Sequence, residues 1–573
     1  MINFSISRLA SNMIWTTLII IIMPTAYMVF SNTTILMEWS LLSISSTPLV
    51  FPIILDPKGL MFCCTVMIIS ANVLNFSTLY MAEDKFINRF TVLVLLFILS
   101  MNMLILFPHF MMLLLGWDGL GIVSFILVIY YQNSKSLAAG MITVLTNRIG
   151  DVLILLAIAW TLNQGHWNIM HMWESNFILL QIMCIMLAAM TKSAQMPFSS
   201  WLPAAMAAPT PVSALVHSST LVTAGVFLLI RFYPFLEKLQ LFNSMILFTA
   251  VTTMIMAGIS ASTECDMKKI IALSTLSQLG MMMTSLGLGM PSMAFFHMVT
   301  HALFKALLFI CAGTLINYHT HTQDLRWMGN ITNQMPITSS CMLISNMALC
   351  GLPFLAGFYS KDLIIESSMF YSYNSIMVLL IIMSVGLTSF YSMRFMMITV
   401  WSQKMTVSFM TTNEPTNVTS PMLIMSFMAI IAGSAVSWIT PIQESMSMTT
   451  QMKLLPITMV VIGIILGLIV KSKITNMSKL INKNMLHFAS CSMWFLVPLS
   501  SQFMMKSPFF LSHHFLKSMD QSWLELIEGQ GIHISISKAT NSMYYIQPKM
   551  PMSYIKISFL FMIIISIMYY LNS

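Results

Sequence analysis

Apolar runs of about 20 residues recur along almost the whole chain, and a membrane-spanning helix needs about that length of mostly apolar sequence. The clearest runs cover residues 59–80, 90–107, 110–131, 137–162, 245–260, 269–288, 291–316 and 376–400. Only 8% of the residues are charged and the mean hydropathy is +0.84, whereas an average soluble domain is about 25% charged. The sequence therefore predicts an all-α polytopic membrane protein with about sixteen transmembrane helices.

The charges and cysteines exclude several classes of function. The 26 Lys and Arg residues exceed the 18 Asp and Glu residues, but they are scattered, which argues against a nucleic-acid partner. The eight cysteines include no CxxC pair, and no GxGxxG turn occurs, so we expect no metal, iron–sulfur, nucleotide or flavin site in this chain. The 60 methionines exceed packing needs and suggest the codon bias of an organellar genome.

Two apolar segments are interrupted in the same way, by prolines and polar residues around a lysine. The first interruption covers residues 190–203 and contains Lys192, and the second covers residues 350–362 and contains Lys361. Corresponding interruptions in two halves of a membrane protein are typical of inverted-repeat transporters, whose ion path lies at the breaks. The pattern therefore predicts two inverted-repeat bundles with discontinuous helices.

The amino-acid composition changes after about Ser501, where charged residues and histidines alternate with apolar ones. Such a stretch cannot span a bilayer and favours a lateral amphipathic helix, with a break at Gly529 and Gly531, before an anchor helix over residues 557–571. The predicted division is 1–108 for N-terminal transmembrane helices, 109–400 for the antiporter-like core, 401–505 for C-terminal transmembrane helices, and 506–573 for the lateral helix and anchor.

Four ionisable residues fall inside otherwise apolar runs, where a charge costs about 2.5–3.5 kcal/mol on insertion scales. They are Asp118, Lys192, Lys305 and Lys361. Lys305 follows His297 and His301 at helical spacing, which places the three side chains on one stripe of a helix. Because an imidazole accepts at one nitrogen and donates from the other, such a stripe is suited to relaying protons.

Simpler readings exist for each of these residues. Each histidine of the stripe would instead bond a neighbouring helix, and Lys192 and Lys361 would snorkel to the headgroups from helix ends. Arg148, Asp151, Lys268 and Lys269 lie near span ends, where snorkelling or loop pairing is expected rather than transport. A nearby carboxylate controls the proton affinity of a buried lysine, so we hypothesise that Asp118 and Lys192 form a tunable pair.

Several short runs resemble the antiporter-like subunits of respiratory complex I. They are Gly116–Gly121, Asn147–Asp151, Thr191–Gln195, Pro209–His217, Ser274–Gln278, His301–Leu307 and Gly357–Asp362. The C-terminal stretch around Asp520–Trp523 is similar to the long C-terminal helix of the chain 5 branch of this family.

The resemblance implies proton translocation across the mitochondrial inner membrane, coupled to NADH oxidation and ubiquinone reduction on other subunits. By position it assigns proton transfer to seven residues, Asp118, Lys192, His217, His297, His301, Lys305 and Lys361. The family's usual residue at position 118 is glutamate. Aspartate is one methylene shorter, so direct contact with Lys192 is less favoured than for glutamate, and a bridging water is the alternative.

The resemblance also implies the cofactors and partners. NADH, FMN, iron–sulfur clusters and ubiquinone are expected on other subunits, and the expected partners are membrane-arm subunits, a neighbouring antiporter-like chain and lipids such as cardiolipin. Two alternatives remain: a subunit of a stand-alone cation/proton antiporter, which would use the same lysines, and a purely structural scaffold, in which neutralising Lys305 would leave transport intact.

Overall fold

The structure is a computed structural model. It describes residues 6–44, 47–168, 178–319, 321–370, 374–402, 414–440, 449–473, 484–547 and 551–571. These residues form two compact units, Met1–Val497 and Pro498–Ser573. The predicted four-part division of the chain stays a prediction.

The predicted apolar runs fold as helices. The first half contains α1 (Ile6–Ser31), α2 (Pro57–Tyr80), α3 (Ile87–Leu106), α4 (Phe110–Val128), α5 (Ser134–Leu162), α6 (Ile178–Lys192), α7 (Trp201–Ala204), α8 (Thr210–Val212), α9 (Leu221–Leu236), α10 (Gln240–Thr263), α11 (Met267–Gly287) and α12 (Pro291–Tyr318). A 3-10 turn, Ala205–Ala207, follows α7, and a π-helical stretch, Ser213–Thr220, joins α8 to α9.

The second half continues the pattern. It contains α13 (Ile331–Gln334), α14 (Pro336–Cys350), α15 (Ala356–Phe370), α16 (Ser375–Thr399), α17 (Thr416–Ile439), α18 (Thr450–Lys473), α19 (Asn484–Cys491), α20 (Leu496–Pro498), α21 (Met504–Phe515), α22 (Glu525–Ile527), α23 (Gln530–Ile546) and α24 (Pro551–Leu571). Pro57, Pro291 and Pro336 open α2, α12 and α14, where the missing N–H has no intrahelical partner to lose.

Within the described residues, 13 helices are long and apolar enough to cross a membrane. The shorter apolar helices α6 and α14 are the leading halves of the two interrupted segments. The polytopic helical fold is confirmed, whereas the number of about sixteen spans is not.

Both predicted interruptions are present. In the first, the chain leaves α6 after Lys192 and becomes helical again at Trp201. In the second, α14 ends on Gly351, whose φ of +84° is the left-handed conformation that glycine adopts without a Cβ penalty, and α15 begins at Ala356. Lys192 therefore ends a half-helix that precedes a break, and Lys361 belongs to one that follows a break.

The sequence analysis missed a β-hairpin. Strands β1 (Ile35–Ile44) and β2 (Thr47–Leu55) pair antiparallel between α1 and α2, with Ile35 opposite Leu55. Its apolar residues merge with the surrounding membrane-like pattern, so composition did not separate a strand from a short helix.

The most buried helices carry most of the predicted site residues. The apolar windows of the segment Thr210–Leu236, of α11 and of α12 are entirely buried, whereas only 22% of the window of α1 is buried. The polar side chains on these buried helices are therefore enclosed by other helices. The less buried helices present their apolar side chains outward, which a lipid environment tolerates.

The C-terminal unit is helical. A π-helical stretch, Leu516–Leu524, joins α21 to α22, and the run breaks at Glu528 and Gly529 before α23, as the two glycines predicted. Helix α24 has the length and composition of the predicted anchor. The lateral position of the preceding helices stays a prediction.

We expect Gly357→Ala to destabilise the second interruption. A Cβ at Gly357 would lie 1.8 Å from the carbonyl oxygen of Ala348, which cannot move without disturbing the end of α14. The cost should be about 1–3 kcal/mol, the usual range for overpacking, and should lower the thermal unfolding temperature of the purified protein. In the control Gly386→Ala, the new Cβ would meet Met459 at an ordinary 3.6 Å, and an equal loss in both variants would contradict the expectation.

Candidate functional site

Seven residues predicted to handle protons lie in the N-terminal unit, and we refer to them as the polar row. They are Asp118, Lys192, His217, His297, His301, Lys305 and Lys361. The three lysines and three histidines are each at most 1% exposed. Such burial removes the snorkelling alternative for Lys192 and Lys361, because neither side chain reaches the protein surface.

Lys192 ends α6 against the middle of α4. Its Nζ donates to the carbonyl oxygen of Trp117 at 2.9 Å and lies 4.5 Å from the centre of the Trp117 ring. A cation over an indole face is attracted by the ring quadrupole. The backbone and side chain of one tryptophan thus hold the ammonium from two directions.

The same tryptophan reaches a second carboxylate. Its Nε1 donates to Oδ1 of Asp151 at 2.8 Å, and Asp151, 7% exposed, also lies 3.7 Å from Nε of Arg148. Arg148 and Asp151 pair with each other within α5, and Asp151 is buried, so the expected snorkelling or loop pairing does not describe Asp151.

Asp118 is the partly exposed member of the polar row. Its Oδ1 is buried and has no hydrogen-bond partner among the residues that the structure describes. The Lys192 ammonium next to it donates to the neighbouring backbone carbonyl instead. The bridging water between the Asp118 carboxylate and the Lys192 amine stays a prediction.

His217 lies in the π-helical stretch Ser213–Thr220. A π-bulge widens a helix locally and occurs most often at functional sites. The imidazole is 6.4 Å from the ring of Trp201, and Trp201 donates from Nε1 to the carbonyl oxygen of Thr191, next to Lys192. This tryptophan therefore connects the surroundings of Lys192 with those of His217.

The predicted stripe on α12 faces α11 and α15. His297 donates from Nε2 to Oε1 of Gln278 at 3.1 Å and accepts at Nδ1 from the hydroxyl of Ser360 at 2.9 Å. His301 lies one turn further along α12, with its ring centre 6.2 Å from that of His297. The two imidazoles are therefore neighbours inside the protein.

The other two lysines bind hydroxyl groups. Lys305 donates to Oγ of Ser274 at 2.5 Å, and Lys361 donates to Oγ1 of Thr388 at 2.7 Å. Ser274 and Gln278 are four residues apart on α11, so one face of α11 binds both ends of the stripe.

His217 and His301 have no hydrogen-bond partner at either ring nitrogen among the described residues. Buried polar atoms are nearly always hydrogen-bonded to protein or to ordered water. The alternative in which each stripe histidine bonds a neighbouring helix fits His297, whose partners Gln278 and Ser360 lie on α11 and α15, whereas His301 has no such partner among the described residues.

One expectation about the helix ends is wrong. Lys268, predicted to snorkel or pair in a loop, is 4% exposed and donates to the carbonyl oxygen of Ala208 at 3.1 Å. The adjacent Lys269 behaves as expected and pairs with Asp266 at 2.8 Å. The two lysines point in different directions because successive residues are 100° apart on a helix.

Sequence reasoning assigned no role to the residues that hold the polar row. These are Trp117, Asp151, Ser274, Gln278, Ser360 and Thr388. Several belong to the runs that carry the family resemblance, but only the fold shows which residues they contact. Across the described ranges, no group of three or more His, Cys, Asp or Glu side chains is gathered as a metal site would require.

Three family models match the chain. Residues 39–91 match the model of the complex I NADH-ubiquinone oxidoreductase chain 5 N-terminus, residues 108–388 match NADH:quinone oxidoreductase/Mrp antiporter, and residues 391–569 match the NADH dehydrogenase subunit 5 C-terminus.

The sequence is also similar to curated proteins over nearly its whole length. It is 62% identical to NADH-ubiquinone oxidoreductase chain 5 of Lumbricus terrestris, over 98% of each chain. It is 48% identical to the protein of that name from Anopheles gambiae, over 87% of each chain.

Two solved structures share the fold. The Mrp complex from a Dietzia species superimposes with a TM-score of 0.75 at 22% identity, over 95% of this chain and 62% of the Mrp chain. An archaeal membrane-bound sulfane sulfur reductase gives 0.67 at 18% identity, over 80% of this chain and 92% of the other. At these identities the likeness concerns the fold alone, and it agrees with the predicted antiporter-like helix bundles.

We expect Lys192, Lys305 and Lys361 to resist acylation by a water-soluble succinimidyl ester in the folded protein. Their amines are buried, whereas the Lys269 side chain is 44% exposed and should react readily. Peptide mass spectrometry after brief labelling measures each site. Labelling of Lys192 to the extent of Lys269 would contradict the enclosed position.

Proposed function

The chain belongs to the family of NADH-ubiquinone oxidoreductase chain 5, and on that premise we propose that the polar row is the path by which protons move through it. The protein is a proton-translocating subunit of the complex I membrane arm. Its own residues bind and pass protons. Moving each proton against the membrane potential requires about 2.3 kcal/mol per 100 mV.

The observation that carries the proposal is that two buried imidazoles have no hydrogen-bond partner among the described residues. His217 and His301 lie fully inside the protein, and all four ring nitrogens have no partner among the described residues. An unsatisfied buried polar group is costly, so a buried imidazole without a protein partner is normally hydrogen-bonded to ordered water. Water at these positions would complete both sets of bonds and would allow an imidazole to receive a proton on one side and release it on the other.

The three lysines are the groups that hold protons along this path. Each ammonium has an oxygen acceptor, supplied by Trp117 for Lys192, by Ser274 for Lys305 and by Thr388 for Lys361. Neutral oxygens stabilise a charged amine by hydrogen bonding without fixing its charge, as a tight carboxylate pair would. A lysine held in this way is able to gain and lose a proton when a neighbouring charge changes.

Carboxylates near Lys192 provide such a neighbouring charge. Asp118 follows Trp117, whose carbonyl is the backbone acceptor of Lys192, and Asp151 accepts from the N–H at the edge of the Trp117 indole. A charge on either carboxylate favours the protonated lysine, and loss of that charge favours proton release towards His217. This step keeps the hypothesis of a tunable pair and adds Asp151 as a second, indirectly connected carboxylate.

The finer assignments of cofactors, partners and location are part of the proposal. We place NADH, FMN, iron–sulfur clusters and ubiquinone on other subunits, and we place this multi-pass chain in the mitochondrial inner membrane beside another antiporter-like subunit. The animal relatives and the methionine-rich composition support the location. Cardiolipin is the lipid expected around it.

A stand-alone cation/proton antiporter would use the same buried lysines, and the shared fold of the Mrp chain is compatible with it. The match over the C-terminal region, residues 391–569, favours complex I. Purification through a tag on this chain separates the two. Recovery of NADH:ubiquinone reductase activity supports complex I, and recovery of an assembly that exchanges cations without that activity supports the antiporter.

We expect Lys305→Met to lower NADH-driven proton uptake by about tenfold or more, because it removes the central group that accepts a proton. The measurement uses the assembled complex in liposomes with a pH-sensitive dye, with each preparation normalised to its NADH:ferricyanide activity. Lys269→Met, which removes a surface lysine, is the control. Undiminished pumping by the Lys305 variant would favour the scaffold interpretation instead.

We expect Asp118→Asn to reduce proton pumping while leaving the complex assembled. Asparagine keeps the size of the side chain but removes the charge that favours protonated Lys192. Asp324→Asn is the control, because Asp324 pairs with exposed Arg326 outside the polar row. Equal pumping in the Asp118 variant and the unsubstituted protein would remove the pairing role.

A further inference from the structure

Two adjacent lysines at the start of α11 have different environments. Lys269 is 44% exposed and pairs with Asp266, whereas Lys268 is 4% exposed and its Nζ donates to the carbonyl oxygen of Ala208. No carboxylate within the described part of the chain forms an ion pair with Lys268. Like the lysines of the polar row, Lys268 is a buried amine held by a neutral oxygen, so the position of that oxygen indicates what the contact stabilises.

The acceptor, the carbonyl oxygen of Ala208, lies a few residues after the first interruption, just before the segment that carries His217. The 3-10 turn Ala205–Ala207 ends at Ala208, and Pro209 begins the segment Thr210–Leu236 that carries His217. Carbonyl groups at the end of a helical turn have no intrahelical donor, and proline supplies no N–H. Ala208 is fully buried, so without Lys268 its carbonyl oxygen would be short of a donor in an apolar environment.

The other end of this contact is the helix that binds the α12 stripe. From Lys268, α11 continues to Ser274, which accepts from Lys305, and to Gln278, which accepts from His297. The segment after the break also packs closely on α12, since a Cβ at Gly313 would lie 2.8 Å from Oγ1 of Thr210. Helix α11 therefore contacts the chain at Ala208 through Lys268, and it contacts the α12 stripe through Ser274 and Gln278.

We propose that Lys268 is a positioning residue, which fixes the break at Ala208 to α11 and thereby aligns His217 with the Lys305 stripe. The inference rests on the proposed proton path through the polar row. Lys268 acts through the backbone that it holds and does not itself carry protons. Loss of its hydrogen bond frees the break and misaligns two parts of the path that are both far from the substitution in sequence.

The test compares Lys268→Met, Lys268→Arg and Lys269→Met in the assembled complex in liposomes. The readout is the number of protons taken up per NADH oxidised, which does not depend on how much complex assembles. Lys268→Met is expected to lower this ratio by about twofold or more, the lower end of the effect that a substitution between two coupled sites has. Lys268→Arg keeps a cationic donor and should restore most of the ratio, and Lys269→Met should leave it unchanged.

Hydrogen exchange provides a second measurement on the same samples. Peptides that contain Ala205 to Val212 should exchange faster in Lys268→Met than in Lys269→Met, because the break is no longer held. An unchanged ratio in Lys268→Met overturns the inference. A loss in Lys268→Arg as large as in Lys268→Met, with unchanged exchange, also overturns it, since that result makes Lys268 a proton carrier.

Lys305→Met separates this inference from the proposed function. If Lys305→Met still pumps, the proposed path fails. If Lys305→Met fails to pump while Lys268→Met pumps normally, only the positioning role is refuted. If Lys268→Met does not assemble, Lys268→Gln takes its place, because glutamine is polar but uncharged and one atom shorter than lysine, so it leaves the Ala208 carbonyl without its cationic donor. A lowered ratio with faster exchange in that variant supports the inference, and an unchanged ratio overturns it.

Discussion

The structure depends on how amines are satisfied inside an apolar protein. A lysine buried in an apolar protein needs oxygen acceptors, and a continuous helix offers few, because each of its carbonyl oxygens already accepts one hydrogen bond. Lys361 obtains one from the end of α14, where the carbonyl oxygen of Leu349 lies 3.4 Å from Nζ, and another from the hydroxyl of Thr388. For Lys361 the helix break is therefore a source of acceptors inside the protein, whereas Lys192 binds a backbone carbonyl within the neighbouring helix α4.

Helix α11 connects the two halves of this arrangement. Its first turn holds the break before His217, and its next turns bind Lys305 and His297. Ser277, on the same helix, lies 3.0 Å from the hydroxyl of Tyr391 on α16. A helix bound on several sides by polar contacts moves as a unit, so a displacement at one break would reach the α12 stripe without a continuous chain of charges.

The sequence predicted what is local and missed what depends on packing between helices. Lysines in apolar runs, prolines at breaks and the spacing of His297, His301 and Lys305 are all visible along the chain, and each is present in the structure. Trp117 and Asp151 are 34 residues apart on different helices, so no periodicity pairs them. The π-helical stretch around His217 and the β-hairpin were missed for a related reason, since both are backbone variants of apolar sequence that tertiary contacts select.

The two interrupted helices reach the same electrostatic result from opposite chain directions. Lys192 is the last residue of α6, so its ammonium lies at the C-terminal, electronegative end of its own half-helix. Lys361 is in the second turn of α15, an unfavourable end for a cation, but its side chain extends back to the C-terminal carbonyls of α14. Both amines therefore lie at the negative end of a half-helix. At both positions the dipole of a half-helix favours a cation and adds to the hydrogen bond that each amine donates to an oxygen acceptor.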